Sequence, residues 1–131
     1  MSEAPSPAEV FDRLLTAITA REFADIPALY AEDVVVEQPF ATPPMRIAGR
    51  ESLRAHFSAV PPITMSAHDV MIHRTADPEV IVAEWAYDIV ATGTDRTVST
   101  RNVIVMRVRD GQIVESRDYH DHRAIAAVLT P

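Results

Sequence analysis

The side chains best suited to chemistry in this sequence gather near its end. Asp118, His120 and His122 alternate, and Asn102, Trp85 and Tyr87 lie on apolar runs upstream. Asp118 offers a carboxylate that takes or gives a proton, and Tyr87 a hydroxyl that donates to a substrate oxygen. His120, with an ordinary pKa near neutrality, suits a proton carrier at the rim of a site. Projected from one strand face, Asp118, His120 and His122 would make an oxygen–nitrogen–nitrogen metal set. A helix beginning at Asp121 breaks that alternation, so no metal and no cofactor is expected. The chain has no cysteine, which removes thiolate metal sites, a cysteine nucleophile and disulfides.

Positioning these groups is the work of a hairpin. Two β-branched runs, from Asn102 to Val108 and from Gln112 to Tyr119, meet at Asp110-Gly111, a strong turn signal. Side chains alternate faces along a strand, so the turn decides which of them look inward. A two-residue loop sets Asp118 opposite Val103. A three-residue loop, Arg109-Asp110-Gly111 with Gly111 left-handed, sets it opposite Asn102 and sets Ser116 opposite Ile104. We take the second register, because it pairs the carboxylate with an amide that donates to it. Asn102, Ile104, Met106, Ser116 and Asp118 then share one face, and Arg101, Val103, Val105, Arg107, Glu115, Arg117 and Tyr119 the other.

A chain of 131 residues with 47% hydrophobic positions holds enough apolar material for the core of one domain, residues 1–131. No apolar run approaches the length that crosses a bilayer, and the N-terminus has no basic flank ahead of an apolar segment, so no membrane partner and a cytoplasmic location are expected. The net charge of −7 argues against nucleic acid, whose phosphates it repels.

In chain order, residues 1–5 read as a loose end, and Ser6-Pro7-Ala8-Glu9 as a capping box with proline at the first helical position. Phe11, Leu14, Leu15 and Ile18 give the following helix a buried stripe, ending near Ala20-Arg21. A second helix is expected from Ala24 to Tyr30, a strand from Val34 to Gln38, and a loop from Pro39 to Pro44. Gly49-Arg50-Glu51 opens a third helix, with Leu53 and Phe57 on one face, stopped by Val60-Pro61-Pro62. Strands follow over Ile63–His73, Val80–Ala91 and Thr97–Val108, then the hairpin, then a short closing helix within Asp121–Leu129, where Asp121 is placed to cap. Helices first and sheet second make an α+β domain.

This order of elements resembles the nuclear-transport-factor-2-like superfamily, and within it the SnoaL-like proteins, the steroid delta-isomerases and the limonene epoxide hydrolases. Leu29-Tyr30-Ala31-Glu32-Asp33, Gly49-Arg50-Glu51 and Asp110-Gly111-Gln112-Ile113 are similar to landmarks across that superfamily, and Arg117-Asp118-Tyr119-His120-Asp121 to a segment of the epoxide hydrolases. The resemblance implies a cone-shaped, cystatin-like fold, in which a curved, mostly antiparallel sheet packs on three N-terminal helices. Residue by residue, the steroid isomerases' general base falls on Gln38, their oxyanion-hole tyrosine on Leu14 and their protonated acid on Ile104. The later aspartate of the epoxide hydrolases matches Asp118, but their arginine and earlier aspartate fall on Trp85 and Tyr87, and their tyrosine and asparagine on Val36 and Gln38. Neither catalytic set is complete.

The reading that remains is a pocket for a small apolar molecule, with Asp118 as acid or base, Asn102 orienting it and Tyr87 donating. Trp85, Gln38, Leu14, Phe57, Ile104, Met106 and His120 would form the rest of the wall. Desolvation raises the pKa of Asp118 and donation from Asn102 lowers it, and the sequence leaves that balance open. The implied activity is that of an isomerase, cyclase or hydrolase acting on an apolar carbonyl or ring compound. The alternative is a binding or dimerisation domain without chemistry, in which Trp85 and Tyr87 are core aromatics. The arginine, tyrosine and valine side chains on the opposite face suit a homodimer through the convex side of the sheet. His56, His68 and His73 are dispersed and read as surface or edge residues.

Overall fold

Ser6 starts the first helix as its spacing predicts. In the computed structural model, which describes residues 3–131, its side chain accepts from the Glu9 backbone N–H while the Glu9 carboxylate accepts from that of Ser6. Helix α1 (Pro7–Thr19) buries Val10, Phe11, Leu14 and Leu15. The second helix expected over Ala24–Tyr30 is a single 3-10 turn, Ile26–Leu29. Pro27 sits in its first turn and no side chain caps it, so the short segment stays tightly wound and releases Tyr30 into a strand. Two α-helices rather than three therefore precede the long strands.

Strand β1 (Tyr30–Gln38) is followed by the short β2 (Met45–Ala48), which the sequence reading did not anticipate after the proline-rich loop, and by α2 (Arg50–Ser58). Then come β3 (Ile63–Arg74), β4 (Val80–Ala91), β5 (Thr97–Arg109), β6 (Gln112–Tyr119) and α3 (His122–Leu129), the last capped by Asp121, whose side chain accepts from the Ala124 N–H. The strands form one sheet in the order β2-β1-β6-β5-β4-β3. β1 runs parallel to β6, and every other pair is antiparallel. This is a mixed, mostly antiparallel α+β architecture. Along β5 burial alternates: Thr100, Asn102, Ile104, Met106 and Val108 turn inward, and their neighbours turn out. Helix α1 packs across β3, β4 and β5 on that inner face.

The hairpin departs from both registers considered above. Arg109 pairs with Gln112 across a two-residue turn in which Asp110 and Gly111 both have positive φ, at 52° and 76°. Pairing then slips at Val114, so Val108 faces Ile113 but Arg107 faces Glu115. That β-bulge carries Asp118 opposite Ile104 and Ser116 opposite Met106, two residues away from the expected partners. Turn and bulge together shift the register by an even number, so each side chain keeps the face assigned to it. What is lost is the pairing of Asp118 with Asn102.

Of the N-terminal end, residues 1–2 lie outside the described residues. Pro5 rests on the hairpin turn, where a Cβ added at Gly111 would come within 2.8 Å of its ring. Among the described residues no helix is long and apolar enough to cross a membrane.

Candidate functional site

Between the inner face of the sheet and the helices lies a cavity of about 340 Å³. Leu14 and Phe11 reach it from α1, His56 and Phe57 from α2, and Tyr30, Val36 and Gln38 from β1. Trp85 and Tyr87 reach it from β4, Asn102 and Ile104 from β5, Asp118 from β6, and His120, His122 and Ile125 from the C-terminal segment. The structure thus brings Leu14, Gln38, Phe57, Trp85, Tyr87, Asn102, Ile104, Asp118 and His120 to one wall. Met106 is the exception: at 1% exposed it is packed into the core further along β5, and it is absent from the lining. A residue on the correct face still lies outside the cavity if its rung is too far from the open end of the sheet.

Among the described residues Asp118 is the only carboxylate lining the cavity. Its Oδ1 is buried and has no hydrogen-bond partner among the described residues. Burial pushes its carboxyl up to about 7, because desolvation penalises the charged form and no cation lies beside it. The Ser116 hydroxyl pulls the other way without closing a hydrogen bond, since its Oγ is also left without a partner. At neutral pH the group is therefore poised between donor and acceptor.

Asn102 does not hold Asp118. It sits on the rung of Trp85, and its Oδ1 lies 3.0 Å from His120 Nδ1 while its Nδ2 lies 3.4 Å from Thr100 Oγ1. The bulge at Val114 is the cause, since it advances β6 until His120 rather than Asp118 comes level with Asn102. Burial, and then the nearby imidazoles of His122 and His56, lower the pKa of His120 to about 4. It is therefore neutral at physiological pH, and not the titrating rim carrier expected from its ordinary value.

Tyr87 meets the Trp85 ring edge-on at 5.6 Å between centroids, and Trp85 in turn leans on Phe11 at 5.2 Å. The Trp85 Nε1 is buried without a hydrogen-bond partner among the described residues. Burial raises the Tyr87 phenol well above its usual value, so it remains a protonated donor. Tyr30, read from the sequence as a helix residue, is 2% exposed on the cavity wall. Its phenol is raised by burial and by the charge of Asp118.

Sequence reasoning also missed His56, which it read as a surface or edge residue, and it singled out His122 only within a metal-ligand alternation. His56 lies three residues beyond Leu53 and beside Phe57, a helical spacing that would have placed it on the inner face of α2. His122 opens α3, its Nε2 buried without a partner and its ring 5.9 Å from that of His120. Strand β6 ends at Tyr119, so Asp118, His120 and His122 do not continue one alternation. Among the described residues no group of three or more such side chains is arranged to hold a metal ion.

A family model described as a SnoaL-like domain matches residues 11–116. An uncharacterized PhzA/B-like protein of Pseudomonas aeruginosa is 36% identical over 110 residues, which cover 82% of this chain and 76% of that protein. Among solved structures, a Bacillus subtilis protein provisionally named an isomerase superposes with a TM-score of 0.84 at 24% identity, covering 92% of this chain and 90% of the other. A Xanthomonas campestris protein provisionally named a polyketide cyclase gives 0.77 at 17% identity, with 94% and 96% covered. These structural likenesses establish a shared fold.

Proposed function

The chain belongs to the SnoaL-like domain family, and from that premise we propose that it binds a small, largely apolar carbonyl or ring compound and moves a proton on it. The reaction class is isomerisation, cyclisation or hydrolysis. The observation that carries this reading is Asp118 Oδ1, buried without a partner among the described residues in a mostly apolar and aromatic cavity. A purely structural carboxylate in such a place would normally be paired, because an unpartnered buried polar atom costs about 1–3 kcal/mol. A group held near neutrality is suited instead to general acid–base work. The names of the solved relatives agree with such chemistry.

In this reading Asp118 takes or returns the proton. Tyr87 donates its hydroxyl to a developing negative charge on the substrate oxygen, and Trp85 offers a wall and an N–H. The resemblance read from the sequence implies that Gln38, Leu14 and Ile104 replace the base, tyrosine and acid of the steroid isomerases, so in this reading the proton path differs from theirs. Asp118→Asn keeps the shape and removes the proton acceptor. With a panel of apolar ketones and ring compounds as substrates, it should lower kcat by about 10²–10⁴-fold while leaving ligand binding in place. Activity per folded molecule equal to that of the parent would end this assignment and leave a binding domain in its place.

The reading extends to assembly. We infer that two copies pair through the outer face of the sheet, where half-buried Val103 and Val105 lie between exposed Arg101 and Arg117, and where exposed Phe40 stacks edge-on against Tyr119 at 5.1 Å. Val105→Glu would place an unpaired carboxylate in that interface and should turn a dimer into a monomer in sedimentation velocity. A monomeric parent would overturn the inference.

A further inference from the structure

Asn102 and Thr100 are 2% and 4% exposed, and Asn102, itself tied to Thr100, meets one edge of the His120 ring. A carboxamide oxygen can only accept, so the hydrogen in the 3.0 Å contact between Asn102 Oδ1 and His120 Nδ1 belongs to the imidazole. The other end of the carboxamide donates to Thr100 Oγ1, which sets the amide's orientation. With Nδ1 carrying the proton, Nε2 of the neutral ring carries a lone pair. It makes no hydrogen bond among the described residues, on a side chain that lines the cavity.

We propose that Thr100 and Asn102 act as positioning residues that preset His120 as a hydrogen-bond acceptor, so that the cavity selects a neutral ligand bearing a hydroxyl or N–H donor on its apolar body. This rests on the cavity being the ligand site, as proposed above. Three further features agree. Among the described residues no arginine lines the cavity, and the chain has no lysine, so the lining offers no permanent cation to a charged anion. The ring stays neutral at physiological pH, which keeps the lone pair available. Trp85 Nε1, a donor without a partner, supplies the complementary group for a ligand oxygen. A ligand with a carbonyl alone would satisfy Trp85 and leave Nε2 unpaired. One with a hydroxyl beside the carbonyl satisfies both.

The tautomer is directly observable without any ligand. In full-length protein labelled with 15N-histidine at pH 7.5, with His120 assigned by comparison with His120→Gln, the ring should be in the Nδ1–H form. Asn102→Leu, similar in shape, should move the population toward Nε2–H. Where that variant does not fold, Asn102→Asp serves: it keeps the acceptor, should retain the Nδ1–H form, and should raise the pKa of His120. A parent in the Nε2–H form, or an unchanged His120 in both variants, overturns the proposal whatever Asp118 does.

Its ligand arm compares 2-naphthol with 2-methoxynaphthalene by calorimetry. The naphthol should bind the parent roughly tenfold more tightly, and the difference should shrink in Asn102→Leu. Equal affinities, or binding of neither probe, overturn the ligand class while leaving the separate Asp118→Asn test of proton transfer intact.

Discussion

On the outer face of the sheet several charged side chains are partnered, whereas on the cavity face several buried polar atoms are not. Outside, Arg107 reaches Asp77 and Glu79 at 2.9 Å and Glu115 at 3.2 Å, Arg109 adds a second hold on Glu79, and Ser99 donates to Asp88 at 2.6 Å. Hydrogen bonds from Arg109 and then Arg107 keep the Glu79 carboxyl below its usual range. Inside, Trp85 Nε1, Asp118 Oδ1 and His122 Nε2 have no partner among the described residues. Stability alone would favour the opposite arrangement, since exposed ion pairs contribute little and unsatisfied buried groups cost much. The contrast separates a face where charges are paired from one where buried polar atoms are left unsatisfied.

If the cavity face carries that cost, removing the ionisable group should make the resting protein more stable. The carboxyl of Asp118 titrates near 7 when folded and near 3.8 when unfolded. Below the unfolded value it is protonated in both states and contributes nothing. Between the two values the native state holds the extra proton, so stability falls as pH rises, and above the folded value the full penalty applies. Asp118→Asn should therefore raise stability at pH 8 by up to about 4 kcal/mol and have little effect at pH 3.5, as read by urea denaturation at each pH. A variant less stable than the parent at pH 8 would mean that Asp118 is satisfied in the fold, and the contrast between the faces would fail there.

A smaller effect of opposite sign belongs to His120. Its pKa is lowered from 6.5 to about 4, so between those values the unfolded chain binds the extra proton and the penalty grows as pH falls. His120→Gln removes that penalty, which reaches up to about 3 kcal/mol below pH 4. At pH 8, where the ring is neutral in both states, the variant should lose only about 1 kcal/mol for the damaged bond to Asn102. The difference between variant and parent should thus change sign on acidification. A constant difference across pH 4–8 would show that the ring titrates normally.

The outer face should yield the smallest change. In the monomeric Val105→Glu background, where that face is open to water, Arg107→Met severs three ion pairs but leaves their carboxylates solvated, so only a slight fall in Tm is expected, and it should vanish in high salt. A large, salt-insensitive loss in that monomer would show that these ion pairs are not solvated.

The sequence alone determined what short-range chemistry encodes. The capping box at Ser6 and Glu9, the turn at Asp110-Gly111, the span of β4 and the cap at Asp121 all depend on residues within a few positions of one another, and each stands where the local pattern puts it. The face of each side chain on β5 and β6 was legible for the same reason, since alternation survives any even shift in register. The partner of Asp118 was not. It depends on a bulge at Val114, where nothing in the local residues distinguishes an extra residue from a regular one. That single insertion gives Asn102 to His120 and leaves the carboxylate alone. Likewise Tyr30 read as a helix residue because the 3-10 turn before it is too short to show a period, and His56 read as dispersed because it joins the cavity only when α2 closes over the sheet. Tertiary structure decided which polar groups are buried together and which lack partners, because burial and pairing are properties of distant segments brought into contact.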